Sequence, residues 1–184
     1  QVIKGGNYDA ALKKYAELLT NAAKRTLGNR TIGKNKTYGK ASGKLQKSLT
    51  FQIDGDTVMF GSPEPSAQFI YWGVNGTQKG RGSPFSYGSK QPPISAIRGW
   101  MKTKPIRLRD AKGGFVKQDE AGLNSAAFLI GRAIKMKGIA SLKYFDIAYK
   151  ETIGKASNKL GEAFAKDLFS HFERKIGTIK LTSK

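Results

Sequence analysis

The chain has 184 residues, enough for one domain with extensions or for two small ones. Hydrophobic residues make up 39%, enough for a core but leaving a large polar remainder; Lys and Arg number 33 against 13 acids, a formal charge of +20. That charge favours an anionic partner, nucleic acid or a strongly acidic protein, and the absence of cysteine excludes disulfides, thiolate zinc sites and thiol catalysis.

No apolar run reaches the ~18 residues that a membrane span needs. The first residues lack the apolar core of a signal peptide, so the N-x-T triplets at Asn29, Asn35 and Asn75 raise no expectation of glycosylation.

In chain order, the first predicted element is an amphipathic helix over Asn7–Gly28. Tyr8, Leu12, Tyr15, Leu19, Ala22, Ala23 and Leu27 recur at three- and four-residue steps, with Asn7 placed to cap the start and Gly28 to end it. Asn29 to Lys47 follows as a basic arm with no acid. It holds Arg30, Lys34, Lys36 and Lys40, together with Lys44 and Lys47. Gly39 and Gly43 are too close for a phosphate-cradling P-loop, and Leu45 stands where that motif needs a hydroxyl. An arm lying on a phosphate backbone or an acidic neighbour fits the composition better.

"LTFQIDGDTVMFG" reads as a hairpin. Leu49, Phe51 and Ile53 alternate with polar residues, an Asp-Gly turn follows, and Val58 and Phe60 return. Asp54 and Asp56 belong to turn chemistry rather than to a metal pair. A short helix is predicted from about Ser66, with Phe69, Ile70 and Trp72 as its core face and Gly73 as its end. Residues 74–92 then form a long basic Gly/Ser-rich loop.

A helix on "PPISAIRGWMKTK" is expected to bury Ile94, Ile97, Trp100 and Met101. "IRLRDAKGGFVKQ" suggests a second small hairpin. Another helix rests on Leu123, Ala126, Ala127, Ile130, Ala133 and Ile134. The last is expected over about Ala156–Ile176, with Leu160, Phe164, Leu168, Phe172 and Ile176 as its apolar stripe. The basic tail at 177–184 reads as extended because of its β-branched residues. The predicted fold class is α+β: one domain over 1–184, with a small antiparallel sheet packed on one face by several helices, and long basic loops.

Chemistry-bearing residues are sparse. His171 is the only histidine, and it sits between phenylalanines without a partner constellation. The acids are scattered along the chain, without the convergence a two-metal site requires. The residues call for no catalytic group, metal or cofactor, and a non-enzymatic protein is expected.

"SGKLQKSLTFQIDGDTVMFGS" and "AQFIYWGVNGT", in that order after a first helix, resemble the neck or tail-completion proteins of tailed bacteriophages. In that family a G-x-L-x-x-S-I segment leads into the hairpin, and a Y-x-x-F-x-E-x-G-T segment ends the next helix. Gly43, Leu45 and Ser48 match the first. Phe69, Trp72, Gly76 and Thr77 match the second, without its acid and with Asn75-Gly76 before Thr77. Ala127, Ile130, Ile134, Gly138 and Tyr144-Phe145 match a later helix, turn and aromatic pair, with Ser141-Leu142-Lys143 where the family usually has proline. The resemblance spans about residues 8 to 176.

The resemblance implies a structural virion protein, assembled in the host cytoplasm. It would form a homo-oligomeric ring of about six or twelve copies between portal and tail, around the DNA channel. Short-tailed phages, the crAss-like group among them, stack rings of such adaptors. The expected partners are the ring's own copies, the portal, adaptor and tail proteins, and non-specifically the genome; no membrane is expected. On this reading Phe69–Trp72 lie in the protomer core. Thr77 to Lys90 reach out to a neighbour, with Thr77, Arg81, Phe85 and Tyr87 at the subunit interface and Phe85 and Tyr87 as anchors. Arg30, Lys34, Lys36 and Lys40 meet an acidic partner or DNA. The rival reading is a basic protein that binds and packages nucleic acid.

Overall fold

The computed structural model describes residues 6–29, 43–103, 108–109, 113–115 and 119–182, with side chains to residue 174 apart from that of Asn29. Among the described residues there are six helices and one two-stranded antiparallel sheet, an α+β architecture. The chain divides into two compact units: Gln1–Thr26, Leu49–Gly61 and Tyr144–Lys184 make the first, and Leu27–Ser48 and Ser62–Lys143 make the second.

The first unit holds most of α1 (Gly6–Asn29), the hairpin of β1 (Thr50–Asp54) and β2 (Thr57–Gly61), and α6 (Tyr144–Thr182). Of the expected face α1 buries Leu12, Leu19, Ala22 and Ala23, with Ala16 added, while Tyr8 and Tyr15 are half-buried. The hairpin pairs Phe51 with Phe60 and Ile53 with Val58 in register. Its two-residue turn starts at Gly55, whose φ of 56° is open to glycine at no steric cost. Phe60 packs against Phe145 of α6, ring centroids 5.7 Å apart.

α6 differs most from expectation. It starts at Tyr144 rather than near Ala156, and its backbone stays helical to Thr182 where an extended tail was predicted from residue 177. Lengthening an existing helix needs no new nucleus, and a β-branched preference is weak without a partner strand. The buried positions are Tyr144, Ala148, Thr152 and Ala156, four residues apart, and then Asp167. Thr152 returns its hydroxyl to Ala148 O at 2.8 Å, so its polar atom is satisfied. Of the predicted stripe, Phe164 and Phe172 are 46% and 52% exposed, Leu160 and Leu168 are half-buried, and the Ile176 side chain lies outside the described residues. α1 and α6 run antiparallel: Tyr8 meets Phe164 edge to face at 6.1 Å, while Arg25 meets Glu151 at 3.0 Å.

The second unit contains α2 (Lys44–Ser48), α3 (Ser66–Trp72), α4 (Ile94–Thr103) and α5 (Glu120–Lys137). α2 turns the described end of the basic arm into helix and buries Leu45. Ser48 donates to Leu45 O at 3.0 Å and shares a 2.7 Å hydrogen bond with Ser62. α3 buries no residue: Phe69 and Trp72 are 37% and 43% exposed, so the expected core face is a half-open one.

The core of this unit is Ile97 and Met101 of α4 against Ala127 of α5, flanked by Leu123, Ala126, Ile130 and Ile134. Trp100 and Ile94, expected in that core, are each 39% exposed. α4 is short, and its apolar contact with α5 is made by Ile97 and Met101. Arg98 ties the two helices, its Nη2 2.8 and 2.9 Å from the Glu120 carboxylate oxygens. Of the second predicted hairpin, the described residues include one pair, Arg109 with Phe115, whose guanidinium lies 4.2 Å from the ring centroid.

Candidate functional site

The long loop was expected to stand apart from its own core and reach for a neighbour. It folds back instead, from Gly73 to Ser89, onto the C-terminal end of α5. The driving need is at that helix end. An α-helix leaves its last four carbonyls without intrahelical donors. In α5 these are Ile134, Lys135, Met136 and Lys137, and each has a donor: Gly138 N, Thr77 N, Gln78 N and Arg81 Nε, at 2.8, 2.9, 3.0 and 2.8 Å.

The approach depends on glycine at two points. Val74 and Ile139 form a reciprocal backbone pair at 2.9 and 2.8 Å, which brings Gly76 and Gly138 face to face. A Cβ on Gly76 would lie 2.5 Å from Gly138 N, and one on Gly138 would lie 2.5 Å from Gly76 N; both would also strike backbone carbonyls. Gly138 further requires φ of 67°, a left-handed value that glycine adopts freely.

Asn75 organises the rest. Its Oδ1 accepts from Arg81 N at 2.6 Å and Ser83 N at 3.2 Å. Its Nδ2 donates to Ser83 O at 2.7 Å and Ser86 Oγ at 3.0 Å. Its backbone donates to Phe85 O and accepts from Tyr87 N, at 2.8 and 2.9 Å. Ser83 adds a bond from its hydroxyl to Gly73 O at 2.7 Å and accepts from Phe85 N at 3.0 Å. One amide side chain thus holds a turn of the loop in a single shape.

The expected interface residues can now be placed. Thr77 uses its backbone on α5 and leaves its side chain exposed. Arg81 is half-buried, with Nε on Lys137 O. Phe85 turns inward onto Phe69, ring centroids 4.8 Å apart, so its role as a free outward anchor is corrected: two half-open aromatic faces cover each other. Tyr87 is half-buried beside the Asn75 network. Arg30, Lys34, Lys36 and Lys40 lie outside the described residues.

Sequence reasoning missed Asn75, Gly76 and Gly138 as the joints of this site. The available signal was the Asn75-Gly76 pair at the point where the chain departs from the phage motif.

The surface so built is uniformly positive. No Asp or Glu occurs from Pro65 to Arg109 or from Ala121 to Phe145, the two stretches that meet here. Lys79, Arg81, Lys90, Arg132, Lys135 and Lys137 are carried on the loop and the last turns of α5. Lys135 donates from Nζ to Ser89 O at 2.5 Å, while Lys79, Lys90, Arg132 and Lys137 form no side-chain bond or ion pair among the described residues. Cations at a helix C-terminus are favoured by the helix dipole. Among the described residues no group of three or more His, Cys, Asp or Glu could hold a metal ion, and no helix is long and apolar enough to cross a membrane. Set against known proteins, the chain matches no family model, no curated protein and no solved structure.

Proposed function

We propose that the protein is a structural component of a tailed-phage virion, forming a ring of copies in the head–tail connector between portal and tail. The observation that carries this reading is a set of large apolar side chains left open on two helices. Phe169 and Phe172 of α6 are 69% and 52% exposed; Phe128 and Leu129 of α5 are 45% and 61% exposed. Side chains of that size at that exposure suit contact with further copies of the chain. The positions that resemble the phage family also serve as joints. Leu45 and Ser48 anchor α2, and Gly76 makes the crossing with Gly138.

With Phe85 turned onto Phe69, the open apolar side chains of α5 and those of α6 are each available to a neighbouring copy, and on the loop Thr77 and Tyr87 remain candidates for contact. A loop already ordered by Asn75 loses little freedom when a neighbour docks on it. The basic arm with Arg30, Lys34, Lys36 and Lys40 then meets acidic neighbours or the genome.

Reconstruction of the virion tests the reading. The expected result is a closed ring of about six or twelve copies at the neck, by cyclic closure. Copies scattered over the capsid shell would overturn it and favour the rival reading of a genome-coating protein, which the +20 charge supports. In purified protein, Phe169→Ser with Phe172→Ser should abolish assembly and leave the melting temperature within a few degrees of wild type.

A further inference from the structure

We infer that the face formed by the loop and the end of α5 is a docking surface for the phosphate backbone of duplex nucleic acid, read without regard to sequence. This inference stands on the local charge and geometry, independently of the ring.

Four features carry it. Two long acid-free stretches, remote in sequence, are brought together by the bonds of Thr77, Gln78 and Arg81 to the α5 carbonyls. The fold therefore gathers cations from both stretches around the end of α5, which neither stretch achieves alone. Second, the face is rigid: Asn75 fixes the backbone at Arg81 and Ser83, and Lys135 ties Ser89. Cations on such a frame need little ordering to meet a regular array of charges.

Third, Lys79, Lys90, Arg132 and Lys137 have no partner among the described residues, so no ion pair has to be broken first. Fourth, the cations of the loop are set among Gly80, Gly82, Gly88 and Ser89, and its phenylalanine is turned away onto Phe69. An acidic protein partner would draw its affinity from buried aromatic anchors. Phosphates need only the cations and the counterions they release. Four of the six cations are lysines, Lys79, Lys90, Lys135 and Lys137, which meet phosphate as point charges, so contact is chiefly with the backbone.

The test uses the full chain and fluorescence anisotropy on two short labelled duplexes of unrelated sequence, across a salt series. Six cations on phosphates should weaken wild-type binding by about 10³-fold between 50 and 200 mM salt, equally for both duplexes. A variant with Lys79→Gln, Lys90→Gln, Arg132→Gln and Lys137→Gln should lower the slope of log affinity against log salt by three to four, leaving only about a tenfold loss over the same range. A control with Lys13→Gln, Lys14→Gln, Lys155→Gln and Lys159→Gln removes the same charge from α1 and α6 and should leave the slope within about one of wild type. Circular dichroism melting confirms that both variants fold.

Equal effects of the two variants would overturn the inference, because binding would then follow net charge and not this face. Strong preference for one duplex would overturn it as well. So would wild-type binding to poly-glutamate but not to DNA, which would make the partner an acidic protein. None of these outcomes bears on whether copies of the chain form a ring.

Discussion

Two helix ends in this protein solve the same problem by different means. At the start of α1, the first-turn N–H groups lack intrahelical acceptors. Asp167 of α6, 160 residues from Asn7, supplies them: its Oδ2 accepts from Tyr8 N at 2.8 Å and its Oδ1 from Asn7 N at 3.4 Å, with a further 2.7 Å bond from the Asn7 side-chain Nδ2. At the end of α5 the orphan groups are carbonyls, and a folded loop supplies two backbone donors, Thr77 N and Gln78 N, and one side-chain donor, Arg81 Nε. The first closure is made by a single buried charge and can be titrated. The second is made by close backbone contact at two glycines and is steric. A charge can serve an N-terminus from one side chain, because a carboxylate accepts several bonds and complements the helix dipole. Three consecutive carbonyls need several donors in fixed positions, which a folded loop provides from its backbone and one arginine.

The largest expected effect is at the steric closure. Gly76→Ala or Gly138→Ala should cost about 4 kcal/mol or more, because the added carbon meets backbone that cannot swing away. Urea unfolding with a probe in the second unit would measure it; a loss under about 1 kcal/mol would mean the crossing is loose. Asn75→Ala comes next. It strands two N–H donors and a carbonyl in a part-buried setting, and should cost about 2–3 kcal/mol. Amide exchange should accelerate from Gly76 to Tyr87 and remain slow in α1.

The charged closure should respond to acid. The backbone bond from Tyr8 holds the Asp167 carboxyl below its ordinary value of 3.8, with Asn7 assisting. A depressed folded-state pKa contributes stability that is present above the unfolded value and is lost as pH falls through the folded one. The first turn of α1 should therefore open in acid, as pH falls below the ordinary carboxylate value of 3.8 and through the lower folded-state value. In Asp167→Asn it should already exchange faster at neutral pH, and the gap between variant and wild type should close in acid. A gap that persists unchanged once the carboxyl is protonated would show that the charge is not what matters.

The smallest effect is a gain. Gly154 and Gly161 lie in α6 with open space where a Cβ would point, so Gly154→Ala and Gly161→Ala should each stabilise the first unit by about 0.5–1 kcal/mol. Thermal melting that falls in either variant would reveal a contact made at that glycine by another chain.

What the sequence by itself determined is local. The three- and four-residue spacing in α1 and α5 placed Leu12, Leu19, Ala127 and Ile134 on inward faces. Asp-Gly placed the hairpin turn, because few residues accept the backbone angle at Gly55. The excess of cations, and the acid-free stretches, were likewise written in the chain.

The tertiary structure decided which of several apolar faces is covered. On α6 the near-four spacing singled out Leu160, Phe164, Leu168 and Phe172 as the apolar stripe, yet Tyr144, Ala148, Thr152 and Ala156 are the buried ones. Burial follows where a neighbouring element lies, and a residue's size does not encode that. Asp167 looked like one scattered acid until the fold brought it to Asn7 and Tyr8. Phe85 looked outward until the carbonyls of α5 drew the loop home. These pairings join residues from 16 to 160 positions apart. Neither partner leaves a mark in the sequence near the other, so only the folded chain could bring them together.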